Sequence, residues 1–263
     1  MKILYDKIFY CTTNHIYVQL SNMDNIQKDE REQYNVPATE LPKEPFSKKD
    51  FYQMHDNNGR IPRIAKEFQD GFNFIEKHQK TVTVFGSART DKNDPHYEHA
   101  RNISERIVKE LGYGVVTGGG PGIMEAANEG AHEAGGISLG LNIKLPKEQR
   151  TNAYLTDSQA FHYFFTRKML LSFAAEAYLF FPGGFGTLDE LFEMLTLVQT
   201  KKIAGTMPII LIGSDYWRQL DTFITDIVYR DHHAISPQDI DLYTITDNDD
   251  TVLELIKKAP IRT

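Results

Sequence analysis

Residues 180–195 read FFPGGFGTLDELFEML, in which an apolar strand-like stretch passes through a glycine-rich turn into a helical pattern. Pro182 has no backbone N–H and therefore ends strand pairing. Three glycines let the backbone turn tightly and approach a ligand without a Cβ atom in the way: Gly183, Gly184 and Gly186. We expect a helix to start near Thr187, so the stretch predicts a strand, a tight turn and a helix in direct succession.

The same alternation continues along the chain from Thr81. Five stretches have the near-continuous apolar pattern of buried strands: TVTVFGS (81–87), GVVTGG (114–119), GISLGLNI (136–143), YLFFPG (178–183) and MPIILIG (207–213). Helical patterns lie between and after them: 96–112, 121–136, 166–177, 188–202, 216–230 and 251–258. This alternation predicts an α/β fold, a doubly wound, Rossmann-like parallel sheet with helices on both faces. Ligands of such sheets bind at the carboxyl ends of the strands.

Residues 1–63 differ from the rest and are predicted to form an N-terminal extension. Most of this segment is polar, interrupted by prolines and poor in aliphatic residues, which is typical of a peripheral and partly irregular chain. A helical pattern then begins, with apolar residues at intervals of three to four positions: Ile64, Phe68, Phe72 and Ile75. Residues 64–263 are therefore predicted to form the Rossmann-like domain.

Bulk composition excludes several classes of protein. The formal net charge of −7 and the lack of a dense Lys/Arg run argue against binding of a nucleic acid polymer. The single cysteine, Cys11, excludes an intramolecular disulfide framework and a cysteine-based zinc cage. No apolar run has the length of a membrane span, and the chain does not open with a signal peptide pattern. We therefore expect a cytoplasmic protein without a membrane partner, and the nine scattered histidines indicate no metal site.

Residues 118–122, GGGPG, form a second glycine turn between a strand and a helix. The spacing does not match the dinucleotide-binding fingerprint, because Ile123 occupies the place of the third glycine. The next strand ends at Asn142 rather than at the acidic residue that usually holds a ribose. Two readings remain, a tight strand-to-helix turn or a close backbone approach to a mononucleotide. Pro121 is predicted in the first turn of the next helix.

The helix that follows Gly186 would direct its free N–H groups and the positive end of its dipole toward the turn, where phosphate is the natural occupant. Thr187 adds a hydroxyl donor. Glu190 has two readings. Its carboxylate either lies beside the bound phosphate, or completes a capping box by reaching back to the amide of Thr187.

Arg167 and Lys168 lie near the predicted start of a helix, where their positive charges oppose the helix dipole. Such unfavourable local arrangements are expected mainly at functional sites. The two cations either face the same crevice as Glu190, with the arginine binding phosphate or ribose hydroxyls through its fork of donors, or form a solvated pair on an exposed turn.

Three motifs resemble those of the Lonely Guy family: GGGPGIMEA (118–126), RKM (167–169) and PGGFGTLDE (182–190). The likeness covers residues 64–260. Members of this family are phosphoribohydrolases of cytokinin riboside 5′-monophosphates and related bacterial nucleotide 5′-monophosphate nucleosidases. The family's older label, lysine decarboxylase, has no support here, because the sequence shows no recognisable pyridoxal-phosphate lysine context.

The resemblance implies a Rossmann-like fold and hydrolysis of the N-glycosidic bond of a nucleoside monophosphate to free base and ribose 5-phosphate. It implies a homodimer or higher homo-oligomer, an active site near the subunit interface, and no need for a metal or redox cofactor. The longer N-terminus and Glu125 make the chain more similar to the longer bacterial branch of the family. AMP- or GMP-type nucleotides are therefore expected as substrates alongside cytokinin riboside monophosphates.

The resemblance also assigns roles to residues. Arg167 and Glu190 take the positions of the catalytic residues. The resemblance implies that the glycines and threonine of the last motif bind the 5′-phosphate: Gly183, Gly184, Gly186 and Thr187. We further expect the other two turns and two charged side chains to contact the nucleotide: Gly86, Ser87, Gly118, Gly119, Gly120, Glu125 and Lys168.

Two rival functions use the same residues differently. A nucleotide-binding sensor or carrier without turnover would keep the phosphate turn, and Glu190 would only cap its helix. A phosphotransferase is disfavoured, because no nucleoside triphosphate or magnesium motif is present.

Overall fold

The computed structural model describes residues 60–143, 151–203 and 207–261. Residues 1–59 of the predicted N-terminal extension lie outside this part of the chain, so the division at residue 63 stays a prediction. The first described helix, α1, spans Arg60–Glu76 and thus begins before the apolar pattern that starts at Ile64. Phe74 and Ile75 of α1 are buried in the core of the domain, which joins this helix to the Rossmann-like fold.

Seven parallel strands form one sheet in the described residues: β1 Thr81–Phe85, β2 Gly114–Thr117, β3 Ser138–Ile143, β4 Asp157–Phe161, β5 Ala177–Phe180, β6 Ile209–Leu211 and β7 Thr244–Ile245. Their order is β4-β3-β2-β1-β5-β6-β7. β1 pairs with both β2 and β5, with Thr81 opposite Gly114 and Phe85 opposite Phe180. Strand order therefore reverses at β1, and the crevice between the carboxyl ends of β1 and β5 is where ligands of such sheets bind.

Further helices follow α1: α2 Pro95–Arg106, α3 Ile123–Glu133, α4 Phe164–Phe173, α5 Phe185–Gln199, α6 Ser214–Thr222 and α7 Asp249–Lys257. π-helical turns over Ile107–Leu111 and Phe223–Asp231 extend α2 and α6, and a 3₁₀ segment spans Pro237–Leu242. Gly112 ends the extended α2 in the left-handed region, with φ 68°, as expected for a glycine after a helix.

Helices cover both faces of the sheet, and successive residues of β5 show the two layers. Tyr178 and Phe180 pack with α1, α4 and α5 on one face. Leu179 and the following Phe181 pack with α2, α3 and α7 on the other. Because neighbouring side chains of a strand point to opposite faces, a strand buried on both sides is apolar throughout. The predicted doubly wound, Rossmann-like sheet is confirmed.

Two details differ from the prediction. β4 was not predicted, because it is an edge strand with polar exposed residues, and its pairing with β3 joins Leu139 to Asp157. Pro121 does not lie in the first turn of α3, which begins at Ile123. Gly122 takes the N-cap position with φ 70°, and its carbonyl accepts the amide of Ala126 at 3.0 Å.

Candidate active site

A cleft of ≈ 720 Å³ opens at the carboxyl ends of β1, β2 and β5, at the reversal of strand order. Its walls are residues 85–89 after β1, Gly118 and Met124 after β2, Phe164, Arg167 and Leu171 of α4, and residues 184–190 at the start of α5. The volume falls in the range of small-molecule sites. The three turns singled out in the sequence therefore meet at one cleft.

The N-terminus of α5 opens directly into this cleft. The helix begins at Phe185, before the predicted start at Thr187, and Gly184 is its N-cap. The first intrahelical hydrogen bond joins the amide of Leu188 to the carbonyl of Gly184 at 3.1 Å. No side chain of the described residues caps this end, so the first backbone N–H groups of the helix remain available to an anion.

The capping-box reading of Glu190 is wrong. Because α5 starts at Phe185, Thr187 already lies inside the first turn, and Glu190 lies too far along the helix to reach an N-cap amide. Among the described residues, Oε2 of Glu190 is buried without a hydrogen-bond partner. The side chain is only 7% exposed and lines the cleft, so this carboxylate is directed at something other than its own helix.

Burial is the main reason that the pKa of Glu190 is raised, to about 8. The neighbouring carboxylates of Glu193 and Asp189 raise it further, whereas the positive charges of Lys168 and Arg167 lower it. A carboxyl group with its pKa near neutrality can exchange protons at physiological pH, which is a common property of catalytic carboxylates.

Arg167 reaches the same cleft from α4. Its Nε donates to the carbonyl of Leu141 at 2.7 Å, and its Cζ lies 6.0 Å from the ring centroid of Phe164. A Cβ atom at position 118 would overlap Nη2, so Gly118 is required for this packing. Burial lowers the pKa of Arg167, and the charge of Glu190 opposes that change. The structure thus brings the two predicted catalytic residues into electrostatic contact.

Glu67 of α1 explains how two cations occupy the start of α4. One carboxylate oxygen accepts the amide of His162 at 2.6 Å, and the other accepts the amide of Tyr163 at 3.2 Å and the hydroxyl of Thr166 at 2.8 Å. A negative charge at a helix N-terminus offsets the repulsion between that terminus and nearby cations such as Arg167. The sequence analysis missed Glu67, because its partners lie almost a hundred positions further along the chain.

The side chain of Lys168 pairs with α5, whereas that of Arg167 lines the cleft. Lys168 Nζ lies 2.5 Å from Asp189 Oδ2 and 3.5 Å from Glu193 Oε2 on α5, and the side chain is not part of the cleft wall. Burial acts to lower the pKa of Lys168, but these carboxylates outweigh it and raise the pKa. The lysine thus joins α4 to α5, and its expected contact with substrate stays a prediction.

Backbone hydrogen bonds lock the first turn to the other two. The amide of Ser87 donates to the carbonyl of Pro182 at 3.0 Å, and the carbonyl of Ser87 accepts the amide of Ile123 at 3.0 Å. A Cβ atom at position 86 would overlap the side chain of Ile123, so Gly86 is required where the turn crosses α3. Gly86 and Ser87 both line the cleft, as predicted from the sequence.

The GGG turn is braced from behind by a buried polar network. Thr117 Oγ1 accepts the amide of Gly119 at 2.9 Å and donates to Asn128 Oδ1 at 2.6 Å. Asn152 donates to the carbonyl of Gly120 at 3.0 Å and to Asn128 Oδ1 at 2.9 Å. Gly118 lines the cleft, whereas Gly119 and Gly120 form the turn behind it, so a nucleotide contact by these two stays a prediction.

Glu125 lies outside the cleft wall. Its carboxylate pairs with Lys92 at 2.9 Å, and Lys92 also lies 5.8 Å from the ring centroids of Tyr97 and Tyr154. This contact ties the loop after β1 to α3. The expected contact of Glu125 with ribose or base stays a prediction.

The lining residues that the sequence analysis did not assign to the site are Phe85, Ala88, Arg89, Met124, Phe164, Leu171, Phe185, Leu188 and Asp189. Arg89 follows a predicted strand and turn, so its position after β1 was the available signal. Across residues 60–143, 151–203 and 207–261, no group of three or more His, Cys, Asp or Glu side chains could hold a metal ion. In the same residues, no helix is both long and apolar enough to cross a bilayer.

A family described as possible lysine decarboxylase matches residues 124–256. The cytokinin riboside 5′-monophosphate phosphoribohydrolase LOG7 of Arabidopsis thaliana is 31% identical over 164 residues, which cover 60% of this chain and 72% of the relative. The cytokinin riboside 5′-monophosphate phosphoribohydrolase of Rhodococcoides fascians is 26% identical over 150 residues, 55% of this chain and 74% of the relative. The chain belongs to this family, and its resemblance to the Lonely Guy proteins is confirmed.

Among solved structures, the molybdenum cofactor carrier protein of Chlamydomonas reinhardtii has the same fold. The TM-score is 0.51 at 20% sequence identity, over 68% of this chain and 96% of that protein. At this identity the likeness extends to the Rossmann-like architecture alone.

Proposed function

We propose that this protein is an N-glycosidase that hydrolyses the bond between base and ribose in a nucleoside 5′-monophosphate, giving free base and ribose 5-phosphate. One observation carries the proposal: in residues 60–143, 151–203 and 207–261, Glu190 has a buried Oε2 without a hydrogen-bond partner and the N-terminus of α5 has no side-chain cap, and both lie at one cleft. The activity in the names of the relatives from Arabidopsis thaliana and Rhodococcoides fascians supports the same reaction class.

The N-terminus of α5 would bind the 5′-phosphate. Its free amides at Phe185, Gly186 and Thr187 supply donors, and the helix dipole favours a negative charge at this position. A Cβ atom at Gly184 or Gly186 would meet no atom of the described part of the protein within 4 Å, so open space remains for a ligand next to the backbone. Phosphate binding here would orient the scissile bond for reaction deeper in the cleft.

Glu190 would act on the reacting centre. As the bond between C1′ and the base nitrogen breaks, its electron pair leaves with the base and positive charge builds up on the ribose. The carboxylate stabilises that charge and accepts a proton from the attacking water, whose oxygen forms the new bond to C1′. A proton then passes to the departing base. The raised pKa of Glu190, about 8, suits such a proton acceptor.

Arg167 would orient the ribose and the leaving base. Its guanidinium is fixed by the carbonyl of Leu141 and packs against Gly118, so it offers donors in a preset direction. A preset donor loses little conformational entropy when substrate binds. Substrates of the expected class are AMP, GMP and cytokinin riboside monophosphates.

We also propose that the protein is a homodimer or higher homo-oligomer. Large apolar side chains are exposed on α4 and α5 beside the cleft: Phe164 57%, Phe165 47%, Met169 42%, Phe185 92% and Phe192 43%. Exposed apolar surfaces of this kind mark protein–protein interfaces. A second copy of this chain would cover this α4–α5 face and close the cleft from the side.

The reaction is tested by incubating the full-length protein with AMP, GMP, CMP, UMP, IMP or isopentenyladenosine monophosphate and separating the products by chromatography. We expect free base and ribose 5-phosphate from one or more of them. The Glu190→Gln variant should lose about 100- to 10,000-fold in rate while still binding the nucleotide, because only the proton acceptor and charge are removed.

A nucleotide-binding sensor or carrier is the alternative function. It would bind the same monophosphates without releasing base. Glu190→Gln would then have no hydrolytic rate to reduce. Binding of one or more of the six nucleotides by both proteins, with no free base released from any of them, would therefore reject the hydrolase and support the carrier.

A further inference from the structure

Arg89 is a cation at the edge of the cleft that has no partner in the described part of the protein. It is exposed and lines the cleft, and its hydrogen bond runs from the backbone amide to Ser87 Oγ at 3.1 Å. Other arginines are engaged: Arg101, Arg106 and Arg230 pair with carboxylates, and Arg167 with a backbone carbonyl. The guanidinium of Arg89 therefore remains free to bind a ligand.

The turn after β1 places Arg89 beside the N-terminus of α5. The amide of Ser87 donates to the carbonyl of Pro182, and a Cβ atom at Gly183 would lie 3.1 Å from the amide nitrogen of Ser87. Arg89 lies two positions further on, and its amide folds back onto the hydroxyl of Ser87. Arg89 is thus two residues away from Ser87, which contacts the glycine turn that precedes α5.

The charged residues of the cleft wall indicate which cation could pair with a bound phosphate. Within the described residues, four charged side chains line the cleft: Asp189 is paired with Lys168, Oε2 of Glu190 has no hydrogen-bond partner, and the other two are Arg89 and Arg167. Arg167 donates through Nε to the carbonyl of Leu141, and its remaining donors are assigned above to the ribose and base. Without Arg89, a phosphate at the N-terminus of α5 would meet backbone amides, the hydroxyl of Thr187 and the repulsion of Glu190. Charge-assisted hydrogen bonds from an arginine fork are the usual complement of such a phosphate.

We propose that Arg89 binds the non-bridging oxygens of the 5′-phosphate and so makes the cleft select phosphorylated ligands over nucleosides. This assignment rests on the proposed function for the class of substrate. The two arginines of the cleft then have different roles: Arg89 binds the phosphate, and Arg167 contacts the ribose and base.

The test uses ribose 5-phosphate, which contains the phosphate and sugar but cannot be hydrolysed by this reaction. Isothermal titration of Arg89→Ala should show about 10- to 100-fold weaker binding than the wild type, as expected for losing a charged hydrogen bond. Arg89→Lys, which keeps the charge without the fork, should lie between them. Added salt should weaken binding more in the wild type than in Arg89→Ala, because the exposed charge is screened.

Two controls define what would overturn the proposal. Arg218→Ala, which removes an exposed arginine of α6 outside the cleft wall, should bind ribose 5-phosphate like the wild type. Adenosine, which has no phosphate, should bind Arg89→Ala and wild type equally. Unchanged affinity of Arg89→Ala for ribose 5-phosphate would overturn the proposal, and so would an equal loss for adenosine.

Failure of the hydrolase and failure of the Arg89 assignment give different results. A protein that releases no base from any of the six nucleotides but binds ribose 5-phosphate through Arg89 lacks the proposed activity and retains the phosphate contact. A protein that hydrolyses AMP with the same KM in wild type and Arg89→Ala retains the activity and contradicts the contact.

Discussion

Glu190 shows at the scale of a residue how the site differs from an ordinary helix surface. Its carboxyl group is 7% exposed, and Oε2 has no hydrogen-bond partner in the described part of the chain. Burying a charge without a full set of partners is unfavourable for folding, and such costs are concentrated at functional sites. The same buried carboxylate that lowers the stability of the fold is therefore the proposed catalytic group.

Replacing Glu190 by Gln should stabilise the protein at high pH. The folded-state pKa of about 8 lies above the ordinary value of 4.5, so the unfolded chain loses its proton first as pH rises. The free energy of unfolding of the wild type should then fall between those two pH values. The variant lacks this fall, so its gain in Tm should be small at pH 5 and largest above pH 8.

Calorimetry of both proteins from pH 5 to pH 9 measures this difference. Glu254→Gln, at a position of α7 that is exposed, should show no such trend. A loss of stability in Glu190→Gln at pH 9 would contradict the prediction and point to a stabilising contact of the carboxylate.

The rate of hydrolysis should rise with pH through the same titration. If the ionised form of Glu190 accepts the proton of water, kcat/KM for AMP should increase about tenfold per pH unit below 8 and level off above it. Burial is the main cause of this pKa, and four charged groups modify it: Glu193 and Asp189 raise it, and Lys168 and Arg167 lower it. Measurements from pH 7 to pH 9.5 avoid the second ionisation of the phosphate near pH 6. A rate that falls through pH 8 would instead make Glu190 the acid.

Helix α4 illustrates the scale of an element, because a residue from another helix completes its N-terminus. Glu67 of α1 accepts two backbone amides and one hydroxyl there. The two helices also pack closely, since a Cβ atom at Gly71 would lie 2.8 Å from Cγ of Leu170. Arg167 lies in the first turn of α4, so α1 supports the position of a proposed catalytic residue.

Glu67→Gln should loosen the start of α4. The variant keeps the shape of the side chain but loses its charge and one acceptor, which should cost about 1–2 kcal/mol of stability, as for loss of a helix cap. Hydrogen exchange of peptides covering residues 162–168 should become faster. If Arg167 depends on this contact, kcat for AMP should fall while KM for AMP changes little.

Asp70→Asn provides a matched control on the same helix. Asp70 pairs with Lys66 at 2.8 Å on the surface of α1, and such i,i+4 pairs contribute only about 0.3–0.5 kcal/mol. Equal exchange in residues 162–168 for both variants would reject a special role of Glu67.

At the scale of the whole molecule, the order of the strands brings distant turns to one cleft. Segments after β1, β2 and β5 meet there because β5 returns to the centre of the sheet beside β1. The exposed apolar residues of α4 and α5 border the same cleft, and Phe164 and Phe185 belong to both. Assembly and substrate binding would therefore share one region of the surface.

Phe165→Asp should shift the protein toward monomers if the α4–α5 face is the interface. Phe165 is 47% exposed and is not part of the cleft wall, so the change places a charge in the interface without removing a substrate contact. Phe223→Asp is a matched control, because Phe223 is 50% exposed in the helical extension of α6. Analytical ultracentrifugation should show dissociation of the first variant alone. An unchanged mass of Phe165→Asp would reject this interface.

Much of the fold could be predicted from local patterns in the sequence. Buried parallel strands are apolar throughout, and glycine turns between a strand and a helix need no distant partner, so β1, β2, β3, β5 and β6 and most helices were predicted. The edge strand β4 was missed, because its residues face solvent and only the pairing with β3 defines it. Helix starts shifted by a few residues, since caps such as Gly122 and Gly184 depend on backbone conformation.

The sequence by itself determined the alternation of strands and helices, the family, and the two residues proposed for catalysis, because these depend on composition, spacing and motif. Only the tertiary structure decided that Oε2 of Glu190 is buried with no hydrogen-bond partner among the described residues and that Lys168 pairs with α5. It also placed Glu67 at the start of α4 and Arg89 at the edge of the cleft. Burial, pKa and ion pairing arise from atoms far apart in the chain, and only the packing of the folded sheet and its helices brings those atoms together.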